Sequence, residues 1–302
     1  MPQARAELEQ KLRGDPLVLD GATGTEIERL GVPTSLPLWS ASALWQCPEL
    51  LEGVHRAYAE AGVDVLTANT FRTQRRSLAA AGLGSQAAEL TQRAVQLARR
   101  AAEAAPGEPP LVLGSSPPLA DCYRPDLVPD DETLAREHAE HVENLARAGV
   151  DAVLFETLNS VREARAATRA AHSAGVPFLV SFVCDASAQL LSGEALEAAL
   201  DAVFPQAPLA LAVNCLPPSA VDACLPALRD CGRPFGVYAN LGAPDAASGF
   251  RRSEETTPRD FAEHAVRWLD AGARLVGGCC GTTPAHLRAV VEALSGWTSA
   301  RR

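Results

Sequence analysis

The chemistry in this 302-residue sequence gathers around three cysteines: Cys215, which closes the apolar run LALAVNC, and the adjacent Cys279 and Cys280 in VGGCCGTTP. Three thiolates brought to one point form an all-sulfur set that suits zinc over harder ions. Three protein ligands with a fourth position open are the pattern of a catalytic rather than a structural zinc site. The opposing reading is three buried, inert cysteines, the ordinary state of an isolated Cys. The doubled Cys among Gly277, Gly278 and Gly281, whose backbones can aim both neighbours inward, favours the metal. Two carboxylates join them. Asp20 ends the run LVLD and Glu156 ends VDAVLFE, and a pair of this kind can hold an ammonium group. Asp20 can instead support a turn, and Thr23 and Glu26 have the spacing of a capping box on a helix that stops at Gly31 and Pro33.

These residues need elements that bring them to one place. Eight short apolar runs, at 17–20, 63–69, 111–114, 150–156, 176–183, 209–215, 234–240 and 273–279, read as parallel strands buried on both faces. Most intervening stretches read as amphipathic helices, and eight such units fit a single-domain (β/α)8 barrel of the TIM type, an α/β fold. A weak repeat, AGVDVLTANT, AGVDAVLFET and AGARLVGGCC, closes a helix with Gly and enters a strand each time. The rival, a doubly wound open sheet, lacks its glycine signature, since Gly-Ala-Thr-Gly-Thr at 21–25 has the wrong spacing. Strands six and eight lie close in a barrel, so Cys215 can meet Cys279 although 64 positions separate them. The long irregular segments 31–48, 115–131 and 241–258 follow strands, which places them on the face where barrel active sites are built. The stretch 105–110 (APGEPP) precedes a strand and reads as a linker on the opposite face. No domain boundary is evident, and one domain is expected over 1–302 with its core at about 15–297.

Other candidates carry weaker expectations. His138 and His141 have a chelating spacing, but the Glu and Arg around them predict a solvated helix face. Arg72, after the second strand, reads as a solvated arginine with a minor claim on a donor site. Trp39 and Trp45 can wall a pocket or fill core. Cys47, Cys122, Cys184, Cys224 and Cys231 have no partner pattern.

Lys and Arg number 27 against 37 Asp and Glu, a net charge of −10 that repels nucleic acid. No apolar run approaches the ~18 residues of a membrane span. The charged opening MPQARAELEQKLRGDP has no apolar signal region, so a cytoplasmic protein without disulfides is expected.

The segments LDGATGTEIERLG, PLWSASAL, AGVDVLTANTF, LFET, VNC, VYAN and GGCCGTTPAHL together resemble the homocysteine S-methyltransferase family over nearly the whole chain. The GGCCGTTP segment paired with the earlier NC is the specific part. The resemblance implies a zinc-dependent barrel that binds homocysteine through its sulfur, with Cys215, Cys279 and Cys280 as the Zn2+ ligands. It also implies that Asp20 and Glu156 contact the amino-acid head group, that amides near Gly21 and Ala22 receive its carboxylate, and that Asn240 orients ligand or braces the metal loops. The expected reaction moves a methyl group from an activated donor to homocysteine, or a close thiol or selenol analogue, giving methionine. A sulfonium, a quaternary ammonium such as betaine, or a methyl-corrinoid on a separate protein can serve as donor. A stand-alone chain favours the sulfonium. The alternative is a homocysteine- and zinc-binding module that works only with a separate corrinoid methyl-carrier partner. A metal hydrolase is a third reading, disfavoured by the lack of strand-end histidines.

Overall fold

Every one of the eight apolar runs forms a strand in the computed structural model, which describes residues 2–245, 249–252 and 256–301. In chain order the strands are β1 (Leu17–Val18), β2 (Val65–Ala68), β3 (Leu111–Ser116), β4 (Ala152–Leu158), β5 (Phe178–Phe182), β6 (Leu211–Asn214), β7 (Phe235–Ala239), β8 (Gly242–Asp245), β9 (Gly249–Arg252) and β10 (Leu275–Gly278). All except β8 and β9 join one parallel sheet in the order β1-β10-β7-β6-β5-β4-β3-β2. Its ends meet. Leu19 bridges Val65 in parallel, the Asp64 amide donates to the Val18 carbonyl at 2.8 Å, and the Asp20 amide to Val65 at 2.9 Å. The eight strands and their helices form a nearly closed (β/α)8 barrel, as the alternation of apolar runs and helical segments predicts.

The strands obey a period of two that sets where the site begins. Leu17, Leu19, Val65, Leu113, Ala152, Leu154, Leu179, Ala210, Ala212 and Leu275 fill the barrel interior. Their neighbours Val18, Leu66, Val112, Val153, Val180, Leu211, Val213 and Val276 pack outward against the helices. Leu8 and Leu12 of the helix Pro2–Arg13 plug the N-terminal end. Continuing the inward parity toward the other end reaches Thr67, Ser115, Glu156, Ser181, Asn214, Tyr238 and Cys279, so a polar layer sits directly on the apolar ones. In the repeated helix-to-strand turns, Gly62, Gly149 and Gly272 have φ of 90°, 85° and 105°, the left-handed geometry the repeat predicts.

Three local expectations are corrected. Thr23 does not cap the helix Gly24–Arg29: its own backbone is helical and its side chain makes no cap bond. Glu26 is instead drawn into a two-pronged pair with Arg29 at 2.6 and 2.7 Å. His138 and His141 are buried rather than solvated, because the helix Asp131–Ala148 turns the stripe Leu134, His138, His141, Val142 and Leu145 inward; His138 Nε2 meets Glu163 Oε1 at 3.2 Å. The segment 241–258, expected to be irregular, contains the antiparallel hairpin β8–β9; residues 246–248 and 253–255 within it lie outside the described residues.

Candidate active site

The Sγ atoms of Cys215, Cys279 and Cys280 lie within 4.8 Å of one another, the one such cluster of possible metal ligands among the described residues. Strand parity delivers Cys279 to the interior, following Gly278 at the end of β10. Parity alone would turn Cys215 outward, since Asn214 already points in. A φ of 56° at Cys215 breaks the alternation. Thr157 (φ 60°) and Trp39 (φ 45°) are strained the same way, and all three line the same cavity. Left-handed backbone at such residues costs roughly 1–3 kcal/mol each and is retained where the surroundings impose it.

Those surroundings are a buried amide network. Asn214 Oδ1 accepts from the Thr157 amide at 2.9 Å and the Ser181 hydroxyl at 2.7 Å. Its Nδ2 donates to Thr157 Oγ1 at 2.9 Å and approaches Cys279 Sγ at 3.9 Å. The backbone of 239–241 clamps the cysteine segment: the Cys279 amide donates to Ala239 at 2.8 Å and the Leu241 amide to Cys280 at 2.8 Å. A Cβ at Gly277 would come within 2.7 Å of Leu19 Cβ, and one at Gly278 would collide with Thr282. The glycines therefore serve close approach, with Gly281 alone of the three taking a positive φ, at 87°.

The thiols polarise one another. Cys279 and Cys280 both donate toward Cys215, which lowers the Cys215 thiol well below its usual range, while that arrangement and burial hold Cys279 and Cys280 up. A soft dication resolves this by accepting all three as thiolates. The donor set, all sulfur and nearly dry, fits zinc.

Asp20 and Glu156 face the same cavity. Asp20 accepts from the Thr67 amide at 2.8 Å and the Thr67 hydroxyl at 2.9 Å, yet burial raises its pKa to about 7. Burial likewise raises Glu156 to about 8, against a hydrogen bond from Ser115 and with the negative charges of Cys215 and Asp20 adding to the rise. Two buried carboxyls that penalise each other's charge are relieved by a cation placed between them.

Gly21 and Ala22 also line the cavity, but the Ala22 amide already donates to Thr282 Oγ1 at 3.2 Å. Asn240 sits behind the wall: it is buried, is not among the cavity-lining residues, and neither side-chain polar atom has a hydrogen-bond partner.

The rest of the wall corrects the sequence reading in places. Trp39 lines the cavity, edge-on to Phe71 at 6.0 Å, whereas Trp45 packs on the core. Arg72 is buried at the cavity rather than solvated. Cys122 and Tyr123, in the loop after β3, close over the thiols. Burial and then the negative charge of the three thiols push the Tyr123 hydroxyl upward, and burial does the same to Cys122. Sequence reasoning passed over Tyr123. Its one available signal was membership of a long post-strand loop. Asn159 and Gln74 hold that loop through the carbonyls of Cys122, Pro118 and Leu119 at 3.0–3.2 Å, and Glu163 accepts the Leu119 amide at 2.7 Å. Cys224, by contrast, is core in the helix Pro218–Asp230.

A family profile described as homocysteine S-methyltransferase matches residues 17–294. The homocysteine S-methyltransferase of Escherichia coli (strain K12) is 36% identical over 294 residues, covering 91% of this chain and 94% of its own. A selenocysteine methyltransferase of Astragalus bisulcatus is 28% identical over 320 residues, covering 93% of each. Among solved structures, the metallated form of the Escherichia coli homocysteine methyltransferase MmuM matches with a TM-score of 0.81 at 31% identity, covering 95% of this chain and 98% of that one.

Proposed function

The chain belongs to the homocysteine S-methyltransferase family, and we propose that its cavity transfers a methyl group from a small activated donor to the sulfur of homocysteine, giving methionine. The observation that carries this reading is the convergence of three thiols and two buried carboxyls on one cavity. Cys215, Cys279 and Cys280 would hold zinc, whose charge favours the thiolate form of a bound thiol at neutral pH. Asp20 and Glu156 take the substrate ammonium, which replaces their mutual repulsion with charge-assisted hydrogen bonds. Thr67 and Ser115 fix the two carboxyls by hydrogen bonds to one oxygen or both, so the head group enters a site already oriented. Tyr123 and Trp39 cover the thiols, and a sulfur nucleophile is more reactive where water is kept away. With zinc bound there, no side chain would need to act as a general base, because the metal's charge would itself favour loss of a thiol proton.

The test is methionine formation by the zinc-loaded protein from homocysteine and a panel of donors: S-methylmethionine, S-adenosylmethionine, betaine and a methyl-corrinoid protein. Turnover with at least one of the three small donors is expected. Methionine appearing only with the corrinoid protein would reassign the chain as a binding module, and none with any donor would remove the reading.

A further inference from the structure

The cavity has a cationic wall to which the reading above assigns no role. Arg72 follows β2, is 8% exposed and lines the cavity. Its Nη1 donates to the Ala120 carbonyl at a long 3.5 Å, its guanidinium lies 5.3 Å from the Phe71 ring centroid, and its Nε is buried with no partner. No carboxylate pairs with it among the described residues. A permanently charged group buried without a counterion is costly, and its rigid fork matches a carboxylate in two-pronged fashion. The carboxyls of Asp20 and Glu156 supply the opposite pole, so the cavity presents acid at one place and a guanidinium at another. Its volume of ≈ 740 Å³ lies in the range that accommodates drug-sized ligands, more than one amino acid fills.

We propose that Arg72 receives the carboxylate of the methyl donor, which makes the donor a small zwitterion carrying a carboxylate and a cationic methyl-bearing centre. This rests on the methyl-transfer reading above and deepens it, because it selects among donor classes: a methyl-corrinoid has no use for the guanidinium.

The experiment compares Arg72→Gln with the unchanged protein, both loaded with zinc, using two probes. One is S-methylmethionine and the other its carboxyl-free counterpart, (3-aminopropyl)dimethylsulfonium, with affinities from calorimetry in the absence of homocysteine and KM from methionine formation. The unchanged protein is expected to prefer the carboxylate probe roughly ten- to hundredfold, the value of a charge-assisted pair. In Arg72→Gln that preference disappears because only the carboxylate probe weakens, while zinc content and homocysteine affinity stay as they were. Retained preference overturns the proposal. Equal weakening of both probes also overturns it, leaving Arg72 to fasten the loop at Ala120, and loss confined to homocysteine would give the carboxylate to the acceptor. Should Arg72→Gln fail to fold, Arg72→Lys, which keeps the charge but not the fork, is expected to cut the preference several-fold, and an unaltered preference there refutes the proposal. Because binding is read without turnover, a carboxylate preference in a protein that forms no methionine from any donor would remove the donor role while leaving the anion site in place.

Discussion

Replacing Cys215, Cys279 or Cys280 by Ala is expected to empty the metal centre and abolish methionine formation, each single variant lowering zinc affinity by more than the ~10–100-fold that loss of an outer partner costs. The three sulfurs share one point within 4.8 Å, so removing any one leaves two thiols where a three-ligand site needs a third. A graded result is part of the expectation. Asn214→Ala removes the amide that approaches Cys279 Sγ and fixes Thr157, so it should fall within that ~10–100-fold range rather than beyond it. Cys224→Ala, in the packed face of its helix, should keep full zinc and lose only stability. Metal analysis after gel filtration reads all five variants. Full zinc in any of the three ligand variants would mean that the sulfur concerned is no ligand.

The second large effect concerns the head group. Asp20→Asn and Glu156→Gln should each weaken homocysteine by roughly ten- to hundredfold, about 1.5–3 kcal/mol for a lost charge-assisted hydrogen bond, with zinc content unchanged. The double variant should lose less than the sum, because one ammonium serves both carboxyls. The pH dependence carries a sign. Burial raises Asp20 to about 7, so below that pH its carboxyl is neutral and attracts no cation, and above it the carboxylate does. Affinity for methionine, which has no thiol proton to confuse the reading, should therefore rise from pH 6 upward in metal-free protein, and in Asp20→Asn the part of the rise around pH 7 should vanish, leaving only the part near pH 8 where Glu156 ionises. An unchanged profile in the variant would reduce Asp20 to a turn residue.

Much of this was legible from residue patterns. The strands announce themselves as apolar runs, and counting inward from Leu154 or Leu275 by twos arrives at Glu156 and Cys279. Cys215 lies on the wrong parity, and its place depends on a left-handed backbone that no local pattern signals. His138 and His141 mislead because the charged residues beside them dominate the sequence, whereas both are buried and a neighbouring helix offers Glu163 to His138. Arg72 misleads for the same reason: an arginine looks solvated until the loop after β3 is folded over it. The failed cap at Thr23 reflects a competition, since Glu26 finds a stronger partner in Arg29 than in a backbone amide. Tyr123 and the hairpin β8–β9 belong to post-strand loops, where tertiary contacts rather than periodicity decide the conformation.

We propose that zinc held by Cys215, Cys279 and Cys280 is what lets this chain methylate homocysteine. Adding zinc in small steps to chelator-stripped protein, with methionine formation measured at each step under saturating homocysteine and S-methylmethionine, tests it most directly. Activity is expected to rise linearly from near zero and to break sharply at one zinc per chain, with no rise in the variant that lacks all three cysteines. Full activity in the stripped protein, or a rise in the triple variant equal to that of the unchanged chain, would contradict it.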